Sequence, residues 1–331
     1  TGNTAFAAVT GTSIASAAAF TRIAWPEMKK AGYNHSFALG AISGSACLGM
    51  LIPPSVLLIV WGIITEDSIG KLFVAGVIPG ILLALLYVTY NLVRAIMKPE
   101  LAPEPDKVGL TTKLTKTEIY SGFSIIALIF LVLGGIWGGI FTATEAAGMG
   151  AIASFIIALC KGMKFKGVVD SVIDAGKTSA PIMILLITAG MYSRFLSLSD
   201  INSIILEAIT SVGLNQFAIL IMMVVIWLVL GMLLDSISII LLTVPLFIHL
   251  VPEMNPYAFA IFGILAIEAG LLTPPFGLIV YTVKGVLTGS NDNVPLGTIF
   301  MGSIPYWIMM LFVMIMVYLI PELASWPTNF V

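Results

Sequence analysis

The sequence predicts an all-α polytopic membrane protein, from its composition, the length of its apolar runs and the lack of strand-like alternation. Of 331 residues, 59% are hydrophobic and 10% charged, and the mean hydropathy is +1.08. Soluble domains carry about 25% charged residues, and a soluble core has no room for this much apolar surface. The surplus belongs against lipid or other helices. No stretch alternates strictly, as an outer-membrane strand would.

A window of about 19 residues places apolar segments at 3–20, 36–64, 72–97, 119–141, 143–160, 178–195, 216–250, 257–288 and 295–320. Several exceed the roughly 20 residues of one crossing, and these are interrupted by Gly, Pro or polar residues. If 3–20 is the returning arm of a hairpin that dips into the membrane, and 216–250 is a second hairpin entering from the opposite face, thirteen of the fifteen Lys and Arg residues fall on one side. Only Lys71 and Arg194 lie on the other. That asymmetry marks the basic side as cytoplasmic.

The polar stretch 98–118 (KPELAPEPDKVGLTTKLTKTE) reads as a cytoplasmic linker between a first repeat, 1–97, and a second, 119–331. The chain opens at Thr1 inside an apolar segment, without a methionine or a signal-peptide pattern. The first repeat is therefore expected to lack its N-terminal part.

The halves resemble each other. Gly49–Trp61 (GMLIPPSVLLIVW) matches Gly270–Tyr281 (GLLTPPFGLIVY), and Gly76-Val-Ile-Pro79 matches Gly302-Ser-Ile-Pro305, each expected to open the span that follows. Gly11-Thr12-Ser13 precedes the first Pro-Pro by 40 residues, counted from Ser13 to Pro53. Asp235-Ser236-Ile237-Ser238 precedes the second by 38, from Ser236 to Pro274. Each half thus predicts a hydroxyl-rich hairpin tip, a helix broken at Pro-Pro and an unbroken span: inverted repeats with re-entrant hairpins.

Two adjacent prolines in mid-span remove two amide donors and free carbonyls. Bare carbonyls at membrane depth are tolerated only where they are buried in protein or line a cavity. Unwound carbonyls and half-helix C-termini suit Na⁺, and half-helix N-termini attract anions. The Na⁺ candidates are Thr12, Ser13, Pro53, Ser55, Asp235, Ser236, Ser238, Thr273, Pro275 and Gly277. Asp235 can equally cap the arm that starts at Ser236. Ser16, Ser45, Arg22 and Lys284 are substrate candidates, although positive-inside placement accounts for Arg22 and snorkelling for Lys284. Glu145 suits a helix cap. Glu268 is left open between pairing with a cation and facing water. Cys47 and Cys160, both in apolar runs, read as packing residues.

Other classes fit poorly. A net charge of −2 argues against nucleic acid as a partner. The full phosphate-cradling motif Gly-x-x-x-x-Gly-Lys-Ser/Thr is absent from the sequence. An intramembrane enzyme, the remote alternative, needs a nucleophile–base pair or a metal cluster; His-Glu-x-x-His and Gly-x-Ser-x-Gly are both absent from the sequence. A stand-alone sodium–dicarboxylate or citrate symporter would share the broken helices and is the nearer alternative.

FAAVTGTSIASAAA, GMLIPPS, GIFTATEAAG, LGMLLDSISIILLTVPLF and AGLLTPPFGL resemble, in order, the signature blocks of the large membrane (permease) subunit of TRAP (tripartite ATP-independent periplasmic) transporters. The resemblance covers Thr1 to about Pro321. It implies an elevator-type carrier in the bacterial inner membrane, with a small membrane subunit and a periplasmic binding protein as partners. It also implies an organic anion as substrate, sialic acid or a C4-dicarboxylate in class, and Na⁺ as coupling ion with no other cofactor. One departure is Thr142-Ala143-Thr144-Glu145-Ala146, which lacks the family's proline and so the ground for a kink.

Overall fold

The computed structural model describes residue 3 and residues 11–102, 115–211, 213, 215–290 and 292–331. Most of the segment 3–20 before Gly11, expected to be a hairpin arm, and most of the 98–118 linker lie outside the described residues. Among those described, the secondary structure is helical, with no strand. The helices are α1 (Ser13–Lys30), α2 (His35–Leu48), α3 (Val56–Thr65), α4 (Ile69–Met97), α5 (Lys116–Trp137), α6 (Ala143–Cys160), α7 (Phe165–Leu198), α8 (Ile201–Ser211), α9 (Gln216–Gly231), α10 (Ser236–Phe247), α11 (Pro256–Gly270), α12 (Leu278–Gly289), α13 (Leu296–Leu319) and the short α14 (Glu322–Ser325).

Among the described residues, α4, α6, α7, α13 and the Tyr120–Trp137 part of α5 are long and apolar enough to cross a membrane. The remaining apolar helices are shorter because the sequence interrupts them. The segment read as 36–64 becomes α2 and α3, separated at Gly49–Ser55, and 257–288 becomes α11 and α12, separated at Leu271–Gly277. Both Pro-Pro bonds are cis. The segment 216–250 turns at Met232–Asp235 into α9 and α10. Pro79 and Pro305 sit inside α4 and α13 rather than opening them: the preceding Ser68 caps α4 through its side chain and Pro295 begins α13, so each helix starts about ten residues earlier.

The chain forms two compact units, residues 1–104 with 189–329, and residues 105–188 with 330–331. In the second, α5 packs on α6, and Lys161 at the end of α6 donates to Ser121 Oγ at 2.9 Å. Glu145 caps α6 as expected. Its carboxylate accepts from the Thr142 backbone N–H at 2.8 Å, while Thr142 Oγ1 accepts from the Glu145 N–H, closing a capping box. Phe123, Phe130, Phe155 and Ile187 are exposed, as suits a lipid-facing surface. Cys160 is exposed as well, so it is not the packing residue expected; Cys47 is buried. Cys160 ends α6, where Ala146 is the buried residue, whereas most of α2 around Cys47 is buried.

The first unit is densely packed. In α11, every residue from Ala258 to Gly270 is buried. Trp61 and Trp227 meet Phe259 edge-on or tilted at 5.6 and 5.9 Å between centroids, and Trp227 donates to Thr243 Oγ1 at 2.8 Å. Two close approaches need glycine. The backbones of Gly40 and Gly302 touch where α2 crosses α13, as do those of Gly231 and Gly270 where α9 crosses α11, so a Cβ at any of them would collide with main chain. Small residues at helix crossings let membrane helices pack by close contact. The halves also interlock: α1 packs on α12, and α10 packs on α3. The helices that begin at Ser13 and Ser236 thus each lie against a helix that follows a Pro-Pro break from the other end of the sequence.

Candidate functional site

The two tips are helix starts. Ser13 is the first residue of α1, with Thr12 as an extended N-cap whose side chain makes no capping bond. Ser236 is the first residue of α10, and Asp235 is its N-cap. Asp235 Oδ1 accepts from the backbone N–H groups of Ile237 and Ser238, both at 3.1 Å, and Oδ2 accepts from Ser238 Oγ at 2.6 Å. The capping role weighed against ion binding is therefore the one its oxygens fill here, and Ser238 points to Asp235.

Both serines converge on one carboxylate. Glu268 Oε1 accepts from Ser236 Oγ at 2.5 Å and from Ser13 Oγ at 3.4 Å. Glu268 is fully buried, at 0% exposure, which excludes the water-facing alternative. Among the described residues it has no ion pair, and Oε2 has no hydrogen-bond partner. Its neighbour Cys47 directs Sγ at the Glu268 carbonyl, 3.8 Å away. A carboxylate buried this completely without a counter-charge costs several kcal/mol. The positive ends of α1 and α10, whose first residues touch it, offset part of that cost. The sequence signal for this junction was a single acid in a long apolar segment; what it would meet depended on bringing three distant segments together.

A cavity of about 280 Å³ opens beside the serines, lined by Thr12, Ser13, Met50, Leu57, Asp235 and Ser236 among others. Met50 comes from the first break and Leu57 from α3. The four substrate candidates lie outside this lining. Ser16 donates to Asn3 Oδ1 at 2.8 Å, and Asn3 Nδ2 donates to Ser45 Oγ and the Ile42 carbonyl, also at 2.8 Å. This network, buried at Asn3 and Ser16 and half-buried at Ser45, ties α1 to α2 and was not anticipated. Asn3 stands at the start of the apolar segment 3–20, where a lone amide gives no signal of its partners. Arg22 is exposed, and Lys284 donates to the Val294 carbonyl at 2.8 Å and to Asn293 Oδ1 at 3.2 Å. Arg22 thus reaches outward, where its charge is cheapest, and Lys284 is half-buried with its charge held by the loop before α13.

The break residues are held locally. Ser55 is the N-cap of α3: its hydroxyl donates to the Met50 carbonyl at 2.5 Å and accepts from the Leu58 N–H. Thr273 Oγ1 donates to the Ala269 carbonyl at 2.7 Å. Gly277, the N-cap of α12, has φ +50° and no side-chain cap. Pro53 is buried and Pro275 exposed. No group of three or more His, Cys, Asp and Glu is arranged for a metal among the described residues.

Residues 1–323 match the family described as "Tripartite ATP-independent periplasmic transporter, DctM component". The chain belongs to that family. It is the large membrane subunit of a TRAP transporter, a permease and not an enzyme. The permease is 31% identical over 323 residues to a C4-dicarboxylate TRAP transporter large permease protein of Pseudomonas aeruginosa, covering 96% of this chain and 74% of that one. It is 30% identical to the ectoine TRAP transporter large permease protein of Halomonas elongata, covering 97% and 74%. Against the sialic acid TRAP transporter permease protein of Haemophilus influenzae it is 27% identical, covering 98% of this chain and 52% of that one.

Proposed function

We propose that this permease carries an organic acid across a bacterial inner membrane by coupling it to Na⁺, with the acid delivered by a periplasmic binding protein and the complex completed by a small membrane subunit. One observation carries the reading: two serine-headed helix tips, from opposite halves of the sequence, meet at one buried carboxylate beside a small cavity. Oxygen ligands around an anionic centre suit Na⁺, and the N-termini of α1 and α10 suit the substrate's carboxylate. At about 280 Å³ the cavity lies at the small end of ligand pockets, about 300–1,000 Å³, so a small acid such as a C4-dicarboxylate fits it better than a sugar acid.

The matched halves are read as inverted repeats whose two tips are re-entrant hairpins. The broken helices then move with the tips as one elevator body. Each charge carried inward down the membrane potential supplies roughly 2.3 kcal/mol per 100 mV, enough to accumulate substrate without ATP.

The test is uptake into proteoliposomes holding the permease, its small subunit and its binding protein. Uptake of the organic acid is expected only with an inward Na⁺ gradient, and replacing Na⁺ by choline should abolish it. Undiminished uptake in choline overturns the coupling. Uptake without the binding protein would instead favour the stand-alone symporter.

A further inference from the structure

Among the described residues, Glu268 is the one acid buried in the first unit's core, and its Oε2 has no hydrogen-bond partner. We propose that Glu268 is a positioning residue for cation binding: by accepting the hydroxyl protons of Ser13 and Ser236, it turns the free lone pairs of both serines toward the cavity between the tips. The inference rests on the Na⁺ reading above and names the group that makes the tips cation-selective.

A serine hydroxyl has one proton and two acceptor positions, whereas an ionised carboxylate only accepts. Both serine protons are therefore committed to Oε1 in the geometry found, at 2.5 and 3.4 Å. Ser13 and Ser236 also line the cavity, so what they present to an occupant is oxygen lone pairs. That is a ligand for a hard cation and the wrong pole for a carboxylate. The charge behind them acts in the same sense, since Glu268 has no Lys, Arg or His in an ion pair among the described residues. Thr12, whose hydroxyl makes no capping bond, is left to donate to an anionic substrate. Because one oxygen serves both tips, the two serines should act as a unit and not as independent ligands.

The experiment measures protection of the purified complex against thermal unfolding as Na⁺ replaces choline, which reads binding without transport. Wild type should show a saturable Na⁺ midpoint. Glu268→Gln keeps an acceptor but loses the charge, and should raise the midpoint about tenfold, the scale of one charge-assisted hydrogen bond. Ser236→Ala should cost about tenfold in the native background but less than about twofold in Glu268→Met, where nothing orients the hydroxyl. If the Met variant does not fold, Ser13→Ala and Ser236→Ala decide the matter. Each should raise the midpoint, whereas Ser303→Ala, whose hydroxyl donates to Ile299 in α13, should not. A folded Glu268→Gln with the wild-type midpoint, or serine variants that match Ser303→Ala, overturns the proposal while leaving Na⁺ coupling intact. A wild-type complex with no response to Na⁺ overturns both readings.

Discussion

The two Pro-Pro breaks carry the same dipeptide, each followed by an apolar helix, and the structure finishes them differently. At the first, Pro53 and Ser55 are buried, and the Ser55 hydroxyl closes the break by bridging Met50 and Leu58. At the second, Pro274, Pro275 and Phe276 are exposed, and the next helix begins from the left-handed backbone of Gly277 without a side-chain cap. The tips show the reverse asymmetry. Thr12 leaves α1 uncapped by any side chain, whereas Asp235 spends both oxygens on α10. Matched sequence positions thus hold unequal local chemistry. Each half has one firmly closed helix start and one left open, in opposite places.

The largest expected effect is at the second break. A Cβ on Gly277 would stand 2.8 Å from the Phe300 ring, at a φ that L residues rarely adopt. Gly277→Ala should therefore destabilise the permease by about 2–4 kcal/mol, read as the unfolding midpoint in detergent. Ser55→Ala at the first break removes a cap and a buried bond and should cost about 1–2 kcal/mol. If Ser55→Ala proves the more damaging, the two breaks do not differ as described.

At the tips the order reverses. Without Na⁺, Asp235→Ala should cost about 1–2 kcal/mol, and Thr12→Ala no more than about 0.5 kcal/mol. Equal losses would mean that Thr12 caps α1 after all.

The smallest effect lies at the far end of α1. Asp292 accepts from Trp25 Nε1 at 2.8 Å and from Lys29 Nζ at 2.5 Å, strapping α1 to the loop before α13. The hydrogen bond from Lys29, then that from Trp25, holds its carboxyl below the usual range. The folded state thus holds the proton less tightly than the unfolded chain. The strap's contribution is complete above the ordinary aspartate value of about 3.9 and is lost as pH falls through the lower folded value. Asp292→Asn should cost less than about 1 kcal/mol at neutral pH, because Lys29 is half exposed. The variant should also flatten the acid limb of the stability curve relative to wild type.

Much of the architecture was legible in advance because it follows from local chemistry. Apolar run length fixed where helices lie. Proline pairs interrupted two of them, and Thr142 with Glu145 announced the start of α6. Pro79 and Pro305 misled as helix starts because each lies at a depth where its helix was already established by Ser68 or Pro295. The site was only half legible. Ser13 and Ser236 emerged from the repeat, but Ser16 and Ser45 belong with Asn3, Arg22 turns outward, and Lys284 is held by the loop before α13.

By itself, then, the sequence determined an all-helical membrane permease, its family, its breaks and the serines that head its two tips, because composition, proline and hydroxyl spacing act over a few residues. Only the tertiary structure decided that α1 lies on α12 and α10 on α3, and that Ser13, Ser236 and Glu268, separated by up to 255 positions, share one oxygen. The carboxylate's fate hung on that assembly: a side chain's burial is set by what packs around it from elsewhere in the chain, and periodicity along one helix carries no record of those neighbours.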